Sequence, residues 1–195
     1  MILQAGPIDP AGVTTAVRVV GEQRRVERQG LVDLESIRNA GCETYLFVCT
    51  GNTCRSPMAA AVFRKLLAAR LQCPEEDLLT QGYRVVSAGL AAAQGLPASP
   101  EAVELIEQIG GRLDDHRSQL VSARLLEQAD YIFTMTHLHR ATILQHYPEL
   151  SQRVRTLADD GDEVVDPIGQ GLDEYERCLK QITRYLERVV KRLEA

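Results

Sequence analysis

Thr44-Tyr-Leu-Phe-Val-Cys-Thr-Gly-Asn-Thr-Cys-Arg-Ser-Pro-Met58 passes from an apolar run through a polar loop into helix-forming sequence. Tyr45, Leu46, Phe47 and Val48 form the unbroken apolar stretch expected of a strand covered on both faces. Pro57-Met-Ala-Ala-Ala-Val-Phe-Arg-Lys-Leu66 reads as helix, with Ser56 as N-cap or first-turn residue and Pro57 at the first helical position. In between, Gly51 and Asn52 tolerate positive φ, which a loop that turns its N–H groups inward requires. Cys49 ends the strand, and Arg55 follows six positions later. Such a strand-loop-helix unit can gather backbone N–H groups and a helix N-terminus around a tetrahedral oxyanion. The arginine can grip two of its oxygens, and the cysteine beneath can attack phosphorus as the thiolate. The spacing alone says little in a chain with five cysteines. It is the agreement of strand, turn and helix start that separates this reading from the plainer one, a buried strand-end cysteine and a surface arginine.

Outward from the loop, strand-like and helix-like segments alternate. Strands are expected at 44–49, 83–87, 131–135 and 154–157, and helices at 57–71, 100–109, 122–128, 138–146 and 174–193. In the last helix Tyr175, Cys178, Leu179, Ile182, Leu186, Val189, Val190 and Leu193 recur at helical spacing, which leaves the charged residues on the other face. Alternation of this kind predicts an α/β fold: a doubly wound three-layer sandwich with a four-stranded parallel sheet and helices on both faces. Ligands in such folds bind at the carboxyl ends of strands, and Cys49 stands at one.

Residues 1–43 differ from the rest. Residues 13–20 and 24–28, around Gly21-Glu22-Gln23, read as a β-hairpin, and 31–38 as a short helix. This extension is too small for a core of its own, so the division expected is 1–43 and 44–195. With 195 residues, 45% of them hydrophobic, the chain can bury a substantial core. A net charge of −5 gives nucleic-acid binding no electrostatic support. No run of 18 apolar residues exists to span a membrane, and Met1-Ile-Leu-Gln-Ala-Gly-Pro7 lacks the marks of a signal peptide. Five cysteines with no CxxC pair suit a reducing cytoplasm better than a disulfide framework.

Val48-Cys-Thr-Gly-Asn-Thr-Cys-Arg-Ser-Pro-Met58 resembles the phosphate-binding loop of the low-molecular-weight protein tyrosine phosphatase family, and the likeness runs from about Tyr45 to the C-terminus. Ser87-Ala-Gly89, Asp115-His-Arg-Ser118, Met135-Thr-His137 and Asp166-Pro167 also match. Within the family the chain is most similar to the bacterial protein arginine phosphatases. More faintly, Ala5-Gly-Pro7 and Thr14–Val20 resemble the C-terminal tail of threonylcarbamoyl-adenylate synthases, which implies a fusion remnant or a shortened gene; a family-specific extension is the alternative. The main resemblance implies a cysteinyl-phosphate mechanism in which Cys49 is the nucleophile, Arg55 the oxyanion clamp and Asp166 the general acid. Thr50, Gly51, Asn52, Thr53, Cys54 and Ser56 would line the bound phosphate, while Asn52, Ser56, Ser87 and His116 brace the loop. It also implies that Cys54 can form a reversible disulfide with Cys49 that shields it from over-oxidation.

No cofactor or metal is called for, because the loop supplies the charge and no metal-spaced His/Cys set is present. The expected partner is a phosphorylated protein. Thr53 decides which phosphorylated side chain. Tyrosine-directed relatives tend to carry a larger aliphatic residue there and arginine-directed relatives a threonine, so phosphoarginine is favoured over phosphotyrosine. Ile168-Gly169 also lacks the aromatic walls usual in tyrosine-directed relatives, yet Ile168 departs from the arginine-directed branch, which has an aromatic after Asp-Pro. The acidic residues Asp159, Asp160, Asp162 and Glu163 either attract a guanidinium or form a solvated loop, and Asp114 and Asp115 are expected to be solvated. Arsenate reduction would need a cysteine relay, for which only Cys73 and Cys178 are left. A silent phosphate-binding module would need no acid or nucleophile, yet both are present.

Overall fold

The computed structural model describes residues 14–20, 23–28, 30, 32 and 41–193, which fall into two compact units, Met1–Cys42 and Glu43–Ala195. In the first unit, strands β1 (Ala16–Val20) and β2 (Gln23–Arg28) pair antiparallel, with a register shift between Ala16 and Val17. Thr15 ties the ends of this hairpin: its hydroxyl accepts from the Gly30 N–H at 2.8 Å and donates to the Val32 carbonyl at 2.9 Å. The short helix expected at 31–38 lies outside the described residues, Val32 excepted.

The second unit is a parallel sheet in the order β4-β3-β5-β6, made of β3 (Glu43–Cys49), β4 (Tyr83–Gly89), β5 (Tyr131–Thr134) and β6 (Val154–Thr156). Its helices are α1 (Arg55–Leu71), α2 (Pro100–Gln108), α3 (Ala123–Gln128), α4 (His137–His146) and α5 (Leu172–Arg192). The period of two along β3 sorts its side chains into two cores. Tyr45, Phe47 and Cys49 pack with Met58 and Phe63 of α1, Leu105 of α2 and Ile182 of α5. Leu46 and Val48 pack on the opposite side with Leu126 of α3 and Ile143 of α4. Both faces of β3 are therefore covered, which is why its sequence shows no polar alternation.

Aromatic rings fasten the larger core. Tyr45 lies 4.6 Å from Phe63 and 4.9 Å from Tyr131, centroid to centroid, and Phe47 stacks on Phe133 at 5.6 Å. Helix α5 buries Tyr175, Cys178, Leu179, Ile182, Tyr185, Leu186 and Val190 along one stripe. Tyr185 belongs to that stripe although its hydroxyl reaches Asp160 at 2.8 Å, an instance of a ring buried while its polar tip finds a partner. Helix α1 begins at Arg55 with Cys54 as its N-cap residue, so Pro57 is the third helical residue and not the first. The chain winds into the helix directly from the loop, and proline fits anywhere in a first turn whose N–H groups have no intrahelical acceptor.

Candidate active site

The loop from Cys49 to Ser56 crosses from the carboxyl end of β3 to the N-terminus of α1. Its carbonyls are taken from outside: Cys49 O by Leu90 N at 2.9 Å, Thr50 O by Ala91 N at 2.9 Å, Thr53 O by Ser99 N at 2.9 Å and Cys54 O by Met58 N at 3.1 Å. The His116 ring nitrogen Nε2 lies 2.7 Å from the Asn52 carbonyl. A trans peptide holds its C=O and N–H on opposite sides. With these oxygens engaged outwards, the N–H groups of residues 50, 51, 53, 54 and 55 face the other way. The Asn52 N–H shares that inner side, donating to Cys49 Sγ at 3.2 Å. The result is a nest of donors at a helix N-terminus with a sulfur at its base, a geometry suited to a tetrahedral anion.

Asn52 makes the turn. Its φ of 56° lies in the left-handed region, and its side chain holds three segments together. Nδ2 donates to Ser56 Oγ and Ser87 Oγ, each at 2.9 Å, and Oδ1 accepts from the Gln119 N–H at 2.9 Å. Gln119 returns to the Ser87 carbonyl through Nε2 at 2.9 Å. Gly51, by contrast, does not adopt positive φ: a Cβ there would meet Thr53 Oγ1 at an ordinary 3.6 Å. The left-handed residue of the loop is Asn52 alone, because one reversal is enough to bring the N–H groups round. Gly89 meets the stricter demand, since a Cβ there would come within 2.4 Å of Thr50 O and 2.9 Å of Asn52 N.

Cys49 is buried, and its Sγ sits 3.0 Å from Ser56 Oγ. Arg55 is buried as well, and its Nη2 donates to Asp166 Oδ2 in an ion pair. The same guanidinium reaches the Val164 carbonyl at 3.5 Å and Thr50 Oγ1 at 3.4 Å. Asp166 keeps an exposed carboxylate at the mouth, where its Oδ1 accepts from the Ile168 N–H at 3.3 Å. Its loop is pinned from both sides: Val164 N donates to Met135 O at 2.9 Å, and Val165 N to Gln181 Oε1 at 3.1 Å. Thiol, guanidinium and carboxylate thus converge on one loop, with Asn52, Ser56, Ser87 and His116 in one hydrogen-bonded set behind it. Burial pulls the His116 ring below its usual pKa, with the nearby arginines adding to the effect and the Asn52 carbonyl opposing it.

The structure does not join the two loop cysteines. Cys54 Sγ bonds Tyr175 Oη at 3.1 Å and lies 3.5 Å from Thr53 Oγ1, and no disulfide occurs among the described residues. Burial is the main cause that pushes the Cys178 thiol up to about 12, which keeps it protonated at neutral pH and ill suited to a thiolate relay. Two of the acidic residues at 159–163 have arginine partners within the chain. Asp159 pairs with Arg188 at 2.7 Å and with Arg192, and Asp160 pairs with Arg188 at 3.3 Å and Arg184 at 3.6 Å. Glu163 caps the His137 N–H at 2.6 Å. The Asp159 and Asp160 carboxylates are thus engaged by arginines of α5. Asp114 and Asp115 are both exposed, as expected, and Asp114 pairs with Arg112 at 2.9 Å on the surface.

Residues that sequence reasoning passed over include Gln119, Tyr175 and His139. His139 is 7% exposed, and its Nε2 lies 2.9 Å from Thr50 Oγ1. Burial, then the Arg55 guanidinium, brings its ring down to about 4. The one available signal was its place just after Met135-Thr-His137, a stretch already singled out; Tyr175 was hidden among the apolar positions of its helix. No cluster of His, Cys, Asp and Glu that could hold a metal occurs among the described residues, and no helix there is long and apolar enough to cross a membrane.

Residues 44–195 match the family model described as low molecular weight phosphotyrosine protein phosphatase. The chain is 34% identical over 152 residues to a protein-arginine-phosphatase of Bacillus subtilis, covering 76% of this chain and 95% of the relative. It is 33% identical over 154 residues to a probable low molecular weight protein-tyrosine-phosphatase, EpsP, of Ralstonia nicotianae, covering 78% and 97%. The solved structure of the YwlE arginine phosphatase from Geobacillus stearothermophilus superposes with a TM-score of 0.67 at 31% identity, over 78% of this chain and 93% of that one.

Proposed function

The chain belongs to the low molecular weight phosphotyrosine protein phosphatase family, and we propose that it hydrolyses phosphorylated protein side chains, phosphoarginine in preference to phosphotyrosine, through a phosphoryl intermediate on Cys49. The observation that carries this is the convergence at the loop: Cys49 Sγ against Ser56 Oγ and the Asn52 N–H, with Arg55 and Asp166 joined across the same site.

The Cys49 thiolate attacks phosphorus in line with the leaving atom. The inward N–H groups and the Arg55 fork stabilise the equatorial oxygens as charge builds on them. An incoming phosphoryl group brings the negative charge that Arg55 shares with Asp166, so the guanidinium exchanges partners. Asp166 is released towards the leaving atom and, in its protonated form, delivers a proton to a guanidinium nitrogen or a phenolic oxygen. Asp166 as carboxylate then takes a proton from the water that attacks the cysteinyl-phosphate. Inorganic phosphate leaves, and Ser56 Oγ donates to the departing sulfur. Cys54, turned to Tyr175 in the reduced protein, is the proposed shield for Cys49 under oxidation.

Thr53 supports arginine as the preferred substrate. It stands in the loop beside Cys54, where its hydroxyl can orient the attacking water and where no larger aliphatic side chain crowds the pocket. Phosphotyrosine is the alternative, and the exposed aliphatic Ile168 matches neither branch: it gives a phenyl ring no aromatic wall, and it stands where the arginine branch has an aromatic. The two are separated by kcat/KM measured side by side on phosphoarginine and phosphotyrosine peptides. Wild type should favour phosphoarginine, and Thr53→Ile should shift the ratio towards phosphotyrosine. A ratio unmoved by Thr53→Ile removes Thr53 as the determinant, and a wild-type preference for phosphotyrosine reverses the substrate assignment.

A further inference from the structure

His139 takes no part in the displacement just described, yet it reaches the loop. It is the third residue of α4, and its N–H donates to Thr136 Oγ1, the N-cap of that helix, at 3.2 Å. Its Nε2 lies 2.9 Å from Thr50 Oγ1, and its Nδ1 is buried without a hydrogen-bond partner. Thr50 Oγ1 also accepts from Arg55 Nη2 at 3.4 Å, and Thr50 itself is exposed at the mouth of the loop.

These contacts decide where the protons go. If the Thr50 hydroxyl donated to Nε2, the ring proton would sit on Nδ1, a buried N–H with no acceptor. If Nε2–H donates to Thr50, Nδ1 keeps only a bare lone pair. Orphaned buried N–H groups are the rarer of the two defects, so the second arrangement holds. A doubly protonated ring would again bury an unpaired Nδ1–H. Burial and the Arg55 guanidinium, only partly opposed by Asp166 and Glu163, likewise keep the ring neutral. With Arg55 and His139 both donating to Oγ1, its two lone pairs are filled. The hydroxyl proton is then free to point only towards the open side, next to any anion oxygen gripped by the same Arg55 nitrogen.

We propose that His139 is a positioning residue: by filling one lone pair of the Thr50 hydroxyl it turns that hydroxyl into a donor to the substrate's phosphoryl oxygen. This rests on the anion-binding reading of the loop. It adds one charge-assisted hydrogen bond to the inward N–H groups, set from a helix outside the loop.

Calorimetric titration of the full chain with inorganic phosphate at neutral pH tests it. Thr50→Val and His139→Ala should each weaken binding about tenfold, the loss expected for one hydrogen bond to a charged group. The double variant should bind no more weakly than either single variant, because both remove the same bond. His139→Gln, whose amide nitrogen extends to the Nε2 position, should restore most of the affinity, while the shorter His139→Asn should not. Gln and Asn are both polar and differ by one methylene, so this pair decides the matter even if His139→Ala unfolds. Equal affinity in the Gln and Asn variants, or effects of Thr50→Val and His139→Ala that multiply, overturns the proposal and leaves the anion loop standing. A wild-type chain that binds no phosphate overturns both.

Discussion

Asn52 answers two demands with one side chain. It takes the left-handed backbone that the loop needs, and its amide holds Ser56, Ser87 and the Gln119 N–H. Asn52→Ala should therefore cost about 3 kcal/mol, from an L-residue forced into positive φ and from buried groups left unpaired. Asn52→Gly should cost less, since only the second loss remains; equal chemical-denaturation midpoints for the two would show that the backbone carries no strain. Arg55→Lys keeps the charge but loses the fork, and kcat should fall by about a hundredfold or more on para-nitrophenyl phosphate. Near-normal turnover in that variant contradicts the clamp. His139 also gives a pH signature. Its folded pKa, about 4, lies below the 6.5 of the unfolded chain, so between those values the unfolded state binds more protons. The stability it confers is complete above pH 6.5 and is lost as pH falls towards 4, on the order of 3 kcal/mol in all. Melts of wild type should show that slope, and His139→Gln should flatten it.

Between elements, the phosphate loop is shaped as much by its neighbours as by its own residues. Leu90 and Ala91 beyond β4 hold the Cys49 and Thr50 carbonyls, and Gly89 lets that strand end lie against the loop. Gly89→Ala would drive a methyl group into Thr50 O and Asn52 N. The expected result is a loss of about 2 kcal/mol of stability with a larger fall in kcat than in substrate affinity, checked by denaturation and steady-state kinetics on one preparation. At this scale the limits of sequence reading are plain. The strands at Glu43–Cys49 and Tyr131–Thr134 are legible because burial on both faces writes them as apolar runs, whereas Asp166 stands out only through the family resemblance of its Asp-Pro pair. The His139 contact with Thr50 spans 89 positions, and the Tyr175 contact with Cys54 spans 121. Such pairs are created by strand order and helix docking, which leave no local pattern. The charge pairing of Asp159 and Asp160 was hidden for the same reason: their arginines lie on α5, spaced for a helix face.

For the whole molecule, we propose that residues 43–195 form a self-sufficient phosphatase and that 1–42 are dispensable for the chemistry. Every contact of the site described above lies within Glu43–Ala195, a compact unit by itself. A chain starting at Glu43 should melt cooperatively and match the full chain's kcat on para-nitrophenyl phosphate; a large loss would give the N-terminal residues a part in the site. The central claim is that a phosphoryl group passes through Cys49. It is tested most directly by quenching the full chain in acid during turnover of a phosphoarginine peptide and locating the modification by mass spectrometry. The phosphoryl group should be found on the peptide containing Cys49, should accumulate further in Asp166→Ala once the first step has occurred, and should be absent from Cys49→Ala. Phosphate release with no modified Cys49 peptide, or turnover that persists in Cys49→Ala, would contradict the account.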